Sequence, residues 1–256
     1  MLYVNSFRNN IDAIKRNTNN GQKNRISFAG LPKCDFLPQM EKFAGQIRNT
    51  GITIALGDMT KVRAGAYIVP HFDKAASYGG VGGAVARAGA INGIEEFEQF
   101  VSKKGQQKFG TILLTKSHGG NSENLLHAVS VGSGRTEEFK TVQASIYNAL
   151  RTAEQNNIKS VAAPALGTGI IGHLTDEQSA KAILSAVEQF ANEGRNIDFG
   201  IVIYGDRNAY NAFVKTLSTK SYSNALQEVG TKELDFAKWY VEMNNDMAKN
   251  ANAEIW

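Results

Sequence analysis

From Gly51 onward the chain alternates short apolar runs with longer stretches whose apolar residues recur every three or four positions. Residues 52–56, 66–69, 111–115, 125–129, 160–164 and 199–204 have the length and composition of strands. Between them, Phe139, Val142, Ile146, Ala149, Leu150 and Ala153 fall on one helical face, and so do Ile183, Leu184, Val187, Phe190 and Ala191. Strands that alternate with amphipathic helices bury both faces of a sheet, so the pattern predicts an α/β fold with helical layers on a mostly buried sheet. Thr175 followed by Gln178 is a capping-box start for the second of these helices, and Gly194 is placed to end it.

The flanks read differently. Residues 1–50 are polar and rich in Asn, with small apolar pieces at 11–14 and 26–29, a turn signal at 17–21, and a stretch at 39–48 that reads as a short helix ending before Gly51. Past Tyr210 the chain is polar again until Leu234, Ala237, Tyr240 and Val241, which suggest one amphipathic helix docked on the domain's own core. The organisation expected is an N-terminal extension over 1–50, one domain over 51–215 and a helical extension over 216–256.

With 256 residues and 42% of them hydrophobic, the chain can build a sizeable core. Its longest apolar runs reach five or six residues, too short for a membrane span, and the first residues carry no continuous hydrophobic signal. A single cysteine, Cys34, rules out an internal disulfide. The expectation is a cytoplasmic protein without a membrane partner; export by a route that needs no signal leaves no mark in such a sequence. The net charge of +4 is dispersed over 28 basic and 24 acidic residues, with no basic stripe interleaved with aromatics. That disfavours nucleic acid as a partner and is compatible with a small polyanion. Nothing in the sequence reads as a metal site or fixes an oligomeric state.

The stretch with most chemical content is Pro164-Ala165-Leu166-Gly167-Thr168-Gly169-Ile170-Ile171-Gly172. It is a strand end breaking into a turn with three glycines in six residues, where backbone N–H groups approach a ligand without Cβ atoms in the way. The spelling matches G-x-G-x-x-G, but the helix start at Thr175 comes after the loop and no acidic residue closes the next strand at the dinucleotide-fold spacing. It also has the end spacing of a P-loop, but His173 and Leu174 follow instead of Lys and Ser or Thr, which removes the hold on Mg²⁺ and on a reacting phosphate. What remains is a loop suited to phosphates that do not react, or a plain connection. A second glycine stretch, Tyr78-Gly79-Gly80-Val81-Gly82-Gly83, again precedes a helical segment, and two such loops can hold one diphosphate from both sides.

Over about residues 51–215 the sequence resembles the macro domain family, three-layer α/β/α modules with a mixed central sheet that bind ADP-ribose. Gly57-Asp58-Met59-Thr60 is similar to the family's G-D-I-T, and residues 79–87 to its G-G-G-V-x-G-A-I-x-R loop. Leu126-His127-Ala128-Val129 resembles I-H-x-V, and residues 164–172 resemble P-A-x-S-T-G-V-Y-G. The resemblance implies that Asp58 accepts from the adenine amino group, with Met59 beside it. It further implies that Gly79, Gly80, Val81 and Gly82 line one side of the diphosphate and distal ribose, and that Gly167, Thr168, Gly169, Ile170, Ile171 and Gly172 line the other. Tyr204 and Asp206 lie where the family brackets adenine, although Tyr204 reads equally as a core strand residue.

The departures concern catalysis. Where the family reads N-A-A-N, this chain has Pro70-His71-Phe72-Asp73, so Asp73 replaces the asparagine that holds the distal ribose and can accept but not donate. The loop aspartate and the nearby histidine of many hydrolytic members are here Gly82 and Ala86, and Glu95-Glu96 fall too far along to resemble a glycohydrolase arrangement. Viral hydrolytic members also lack the loop aspartate. The candidates for acid–base work are Asp73 first and His71 second, the latter for its titration range, although His71 reads more readily as a surface or satisfied histidine. His118 and His127 read as a loop and a strand residue, and Asp176 and Glu177 as first-turn helix acids. The expected function is binding of ADP-ribose, free or attached to protein, with removal of mono-ADP-ribose, no cofactor and no metal. The alternatives are a non-catalytic reader and an interaction module that has lost the ligand.

Overall fold

The computed structural model describes residues 33–134 and 137–223. The small apolar pieces and turn signal before residue 30 and the helix expected around residues 234–241 lie outside the described residues. Seven strands form one sheet in the order β1-β2-β7-β6-β3-β5-β4: β1 (Glu41–Ile47), β2 (Thr50–Leu56), β3 (Ala64–Phe72), β4 (Ile112–Lys116), β5 (Ser122–Val131), β6 (Ser160–Pro164) and β7 (Asp198–Ile203). The five central strands are parallel, and both edge strands, β1 on β2 and β4 on β5, run antiparallel. All six strands expected from apolar runs are present.

The helices are α1 (Gly80–Val85), α2 (Ile91–Lys104), α3 (Glu138–Gln155), α4 (Asp176–Asn192) and α5 (Arg207–Thr219), with a wider turn of helix, Ala86–Ala90, joining the first two. Side-chain alternation sends each strand to two cores. β7 gives Phe199, Ile201 and Ile203 to the core under α3, α4 and α5, and Val202 to the core under α2; β5 gives Leu126 and Ala128 to the first, Leu125 and Val129 to the second. The result is a three-layer α/β/α arrangement on a mixed sheet. The Thr175–Gln178 capping box is formed in both directions, and Gly194 takes a positive φ after α4.

One expectation fails. Residues 39–48 are not a helix: Glu41–Ile47 is strand β1, paired with β2 around a tight turn in which Arg48 is left-handed (φ 49°). Its inward set is Phe43, Gly45 and Ile47, a period of two, while Lys42, Ala44 and Gln46 are exposed. Gly45 lies close under α5: a Cβ there would meet the Leu217 side-chain tip at 2.8 Å. Sheet pairing therefore begins inside the stretch that reads as an N-terminal extension, and α5 runs on to Thr219.

Because the five central strands are parallel, their C-terminal ends share one edge of the sheet, the edge at which open α/β folds take ligands. Four connections meet there: residues 57–60 after β2, 73–79 after β3, 165–175 after β6 and 204–206 after β7.

Candidate functional site

The loop after β6 is folded on itself. Leu174 N–H donates to the Gly167 carbonyl (3.1 Å), Gly172 N–H to the Gly169 carbonyl (2.7 Å), and Thr168 Oγ1 to the Ala165 carbonyl (3.1 Å). Two clasps hold it from outside. Ser179 Oγ of α4 donates to the Leu166 carbonyl (2.6 Å), and the buried Glu138 carboxylate of α3 accepts from His173 N–H (2.6 Å). Gly167 has φ 85°, and a Cβ on Gly172 would stand 2.1 Å from the Gly167 oxygen, so both must be glycine. Gly169, by contrast, faces open space. Among the described residues, no protein acceptor takes the N–H groups of Thr168, Gly169, Ile170 and Ile171.

The loop after β3 shows the same division. Gly79 is extended and Gly80 left-handed (φ 49°), both exposed with nothing within 4 Å of a built Cβ. Gly82 and Gly83 are buried, and their Cβ atoms would lie 1.9 Å from the Ser77 oxygen and 2.3 Å from the Tyr78 oxygen. This backbone excludes any side chain at Gly82, an aspartate included.

Asp58 caps the short turn Met59–Lys61, its Oδ1 accepting from Thr60 N–H (2.9 Å) and Thr60 Oγ1 (2.8 Å). Both bonds fall on one oxygen of the carboxylate. Met59 is buried beside it. Tyr204 is 81% exposed, which removes it from the core and leaves its ring at the edge of the site. Among the described residues, the large hydrophobic side chains that stand exposed are Ile170, Ile171 and Tyr204, all at this end of the sheet. Asp206 is the N-cap of α5, accepting from Asn208 N–H (2.9 Å) and Ala209 N–H (3.0 Å). An acid directly before a helix is a cap signal legible in sequence. Burial, with Asp206 nearby, raises the pKa of Asp176 at the start of α4.

The two acid–base candidates part company. Asp73 is half-buried at the end of β3; its Oδ2 accepts from Gln106 Nε2 (2.6 Å) and its carbonyl from Gln107 N–H (2.7 Å). Gln106 carried no signal in the sequence, because its approach to Asp73 is tertiary. His71 is fully buried, and so cannot meet a substrate: its Nδ1 lies 2.8 Å from Ser77 N and its Nε2 2.9 Å from His127 Nδ1, with the Phe97 ring stacked on it at 4.3 Å. Burial, and secondly His127, hold its pKa well below the ordinary imidazole value. Burial pushes His127 down to about 3. Of the two readings of His71, burial and two hydrogen-bonded ring nitrogens favour the satisfied histidine over the acid–base group. His118 is bonded to Glu96 at the surface (2.5 Å), away from both loops in sequence. Among the described residues, no cluster of His, Cys, Asp and Glu is placed to hold a metal, and no helix is long and apolar enough to cross a membrane.

The Macro domain family profile matches residues 73–183. An uncharacterized protein of Pyrobaculum aerophilum is 31% identical over 168 residues, covering 64% of this chain and 91% of the relative. This chain belongs to the macro domain family. O-acetyl-ADP-ribose deacetylase 1 of Pantoea vagans is 26% identical to this macro domain over 169 residues, covering 65% of this chain and 98% of the relative. Among solved structures, the Oceanobacillus iheyensis macrodomain with ADP superposes with a TM-score of 0.63 at 19% identity, over 71% of this chain and 97% of that one. The Trypanosoma brucei macrodomain in complex with ADP-ribose gives 0.53 at 23% identity, over 63% and 68%. These two likenesses establish the macro domain architecture of the sheet and its helices.

Proposed function

We propose that this macro domain binds ADP-ribose, free or linked to protein, across the C-terminal edge of its sheet, and that it hydrolyses mono-ADP-ribose from modified targets. The observation that carries the binding reading is the run of four free N–H donors from Thr168 to Ile171, accompanied by the exposed apolar side chains of Ile170 and Ile171 within the run and of Tyr204 after β7. Donors without acceptors suit a diphosphate, and exposed apolar surface suits the faces of a base and a ribose. In this reading Asp58 accepts from the adenine amino group, Tyr204 covers the base, and the open glycines Gly79, Gly80 and Gly169 admit the diphosphate. The complex of the Trypanosoma brucei protein with ADP-ribose and the name of the Pantoea vagans relative point the same way.

The hydrolytic step rests on Asp73 alone, since Gly82 admits no side chain and His71 is sealed in the core. Asp73 takes a proton from water, the hydroxide adds to the anomeric carbon, the bond to the target breaks, and the proton passes to the leaving group. Gln106, bonded to Oδ2, orients the carboxylate and leaves Oδ1 for water or a ribose hydroxyl. A non-catalytic reader is the second reading, favoured by this same scarcity of acid–base groups.

Calorimetric titration with ADP-ribose separates these readings. Asp58→Ala is expected to lose adenine selectivity and about 1–3 kcal/mol of binding. Asp73→Ala is expected to lower release of ADP-ribose from modified protein far more than it lowers affinity. Binding by the wild type without release from acidic, arginine or serine linkages establishes the reader; no heat on titration removes the ligand altogether.

A further inference from the structure

We propose that His71 is a positioning residue for the first glycine loop, fixing the backbone of Ser77 from within the core through a relay of two neutral imidazoles. The inference rests on the ADP-ribose reading for its consequence in binding, and on hydrogen-bond direction for its structure.

A backbone N–H can only donate, so His71 Nδ1, 2.8 Å from Ser77 N, is the acceptor and carries no proton. In the neutral ring the proton is then on Nε2, which donates to His127 Nδ1 at 2.9 Å. That bond in turn places the proton of His127 on Nε2, where it donates to Thr115 Oγ1 at 2.8 Å. One backbone donor thus sets both tautomers. The relay crosses three adjacent strands, β3, β5 and β4, and Phe97 of α2 stacks on both rings, at 4.3 and 5.2 Å.

Ser77 transmits this to the ligand side. Its carbonyl oxygen occupies the space where a side chain on Gly82 would lie, 1.9 Å from the built Cβ. The preceding N–H, of Ala76, donates to the Glu98 carboxylate of α2 at 2.6 Å. Two consecutive amides are therefore tied to the interior just before the chain turns into Gly79 and Gly80, whose own surroundings are open. The open glycines can be preorganised only from behind, and His71 supplies the deeper of the two ties.

Asparagine carries its amide near the Nδ1 position and glutamine near Nε2, so the two variants split the relay. His71→Asn keeps an acceptor for Ser77 and loses His127; His71→Gln keeps the link to His127 and loses Ser77. Both are expected to lower the melting temperature by similar amounts. Only His71→Gln should weaken ADP-ribose binding, by about tenfold, the worth of one buried hydrogen bond, and only it should speed amide hydrogen exchange at Ser77 and Gly82 in the ligand-free protein. Affinity lost in both variants in step with melting temperature, or exchange at Ser77 accelerated equally in both or in neither, overturns the inference. If the wild type binds no ADP-ribose, the functional reading alone has failed, and the exchange measurement still decides the role of His71.

Discussion

The two ends of the sheet are built on opposite terms. At the N-terminal edge of the parallel strands, where α3 and α4 finish, charge is matched within the protein. Glu193 accepts from Tyr147 Oη (2.6 Å), Arg151 (3.0 Å) and Arg195 (2.8 Å), and Arg195 also pairs with Glu154. Burial by itself would raise the pKa of Glu193, but the Tyr147 hydroxyl and the two guanidiniums outweigh it and hold the carboxyl below its usual range. At the C-terminal edge, backbone donors stand open and isoleucine and tyrosine side chains face solvent. The closed end contributes stability and the open end forgoes some of it, the division expected if the open edge is where a ligand binds.

The sharpest way to break this contrast is within the β6–α4 loop. Gly172→Ala puts a Cβ against the Gly167 oxygen and is expected to cost about 3 kcal/mol of ADP-ribose affinity, more than a hundredfold. Gly169→Ala enters the open space assigned to the diphosphate and should lower affinity about tenfold, about 1.4 kcal/mol, with the melting temperature unchanged; a fall in melting temperature equal to that of Gly172→Ala would mean the loop is not preformed. Acid acts on the fold rather than on the loop. His71 and His127 are held neutral well below the ordinary imidazole pKa, so the unfolded chain takes up protons that the folded one refuses. Their full stability is present above pH of about 6.5 and falls by about 1.4 kcal/mol per pH unit for each histidine below it, until the folded rings themselves protonate, for His127 at about 3. Urea melts from pH 7 to 5 check this, and a His127→Leu variant, which removes one of the two groups, should flatten the slope. The smallest effect belongs to the closed end. Glu193→Gln should lower stability by about 1 kcal/mol, as measured by denaturant unfolding, and leave ADP-ribose affinity unchanged.

The legible part of this molecule is what local pattern determines. Apolar runs and three-to-four-residue periodicity specify the parallel strands and α3 and α4, and a threonine with glutamine three residues on specifies the start of α4. β1 was hidden because Glu41, Lys42 and Gln46 suit a helix and the alternation of Phe43, Gly45 and Ile47 is interrupted by a glycine; its strand state is imposed by pairing with β2. The same limit governs the site. Which glycines face open space and which face their own loop depends on carbonyls several residues away, so Gly79 and Gly82 look alike in the sequence and differ entirely in space. The titration range of histidine leaves both a catalytic and a satisfied His71 open in the sequence, and its complete burial on β3 decides for the second. Tyr204 was ambiguous until its exposure separated it from Ile203, the last core residue of β7.

The Glu138–His173 clasp has a kinetic consequence. A carboxylate with 2% of its surface exposed, anchored in the first turn of an 18-residue helix, holds the outgoing end of the β6–α4 loop, while Ser179 holds its entry. Any flap motion is confined to the residues between the two fixed points, a span too short to swing as a lid. Ligand should therefore enter and leave by fast crossing of a small rim, with association limited by encounter rather than by loop opening.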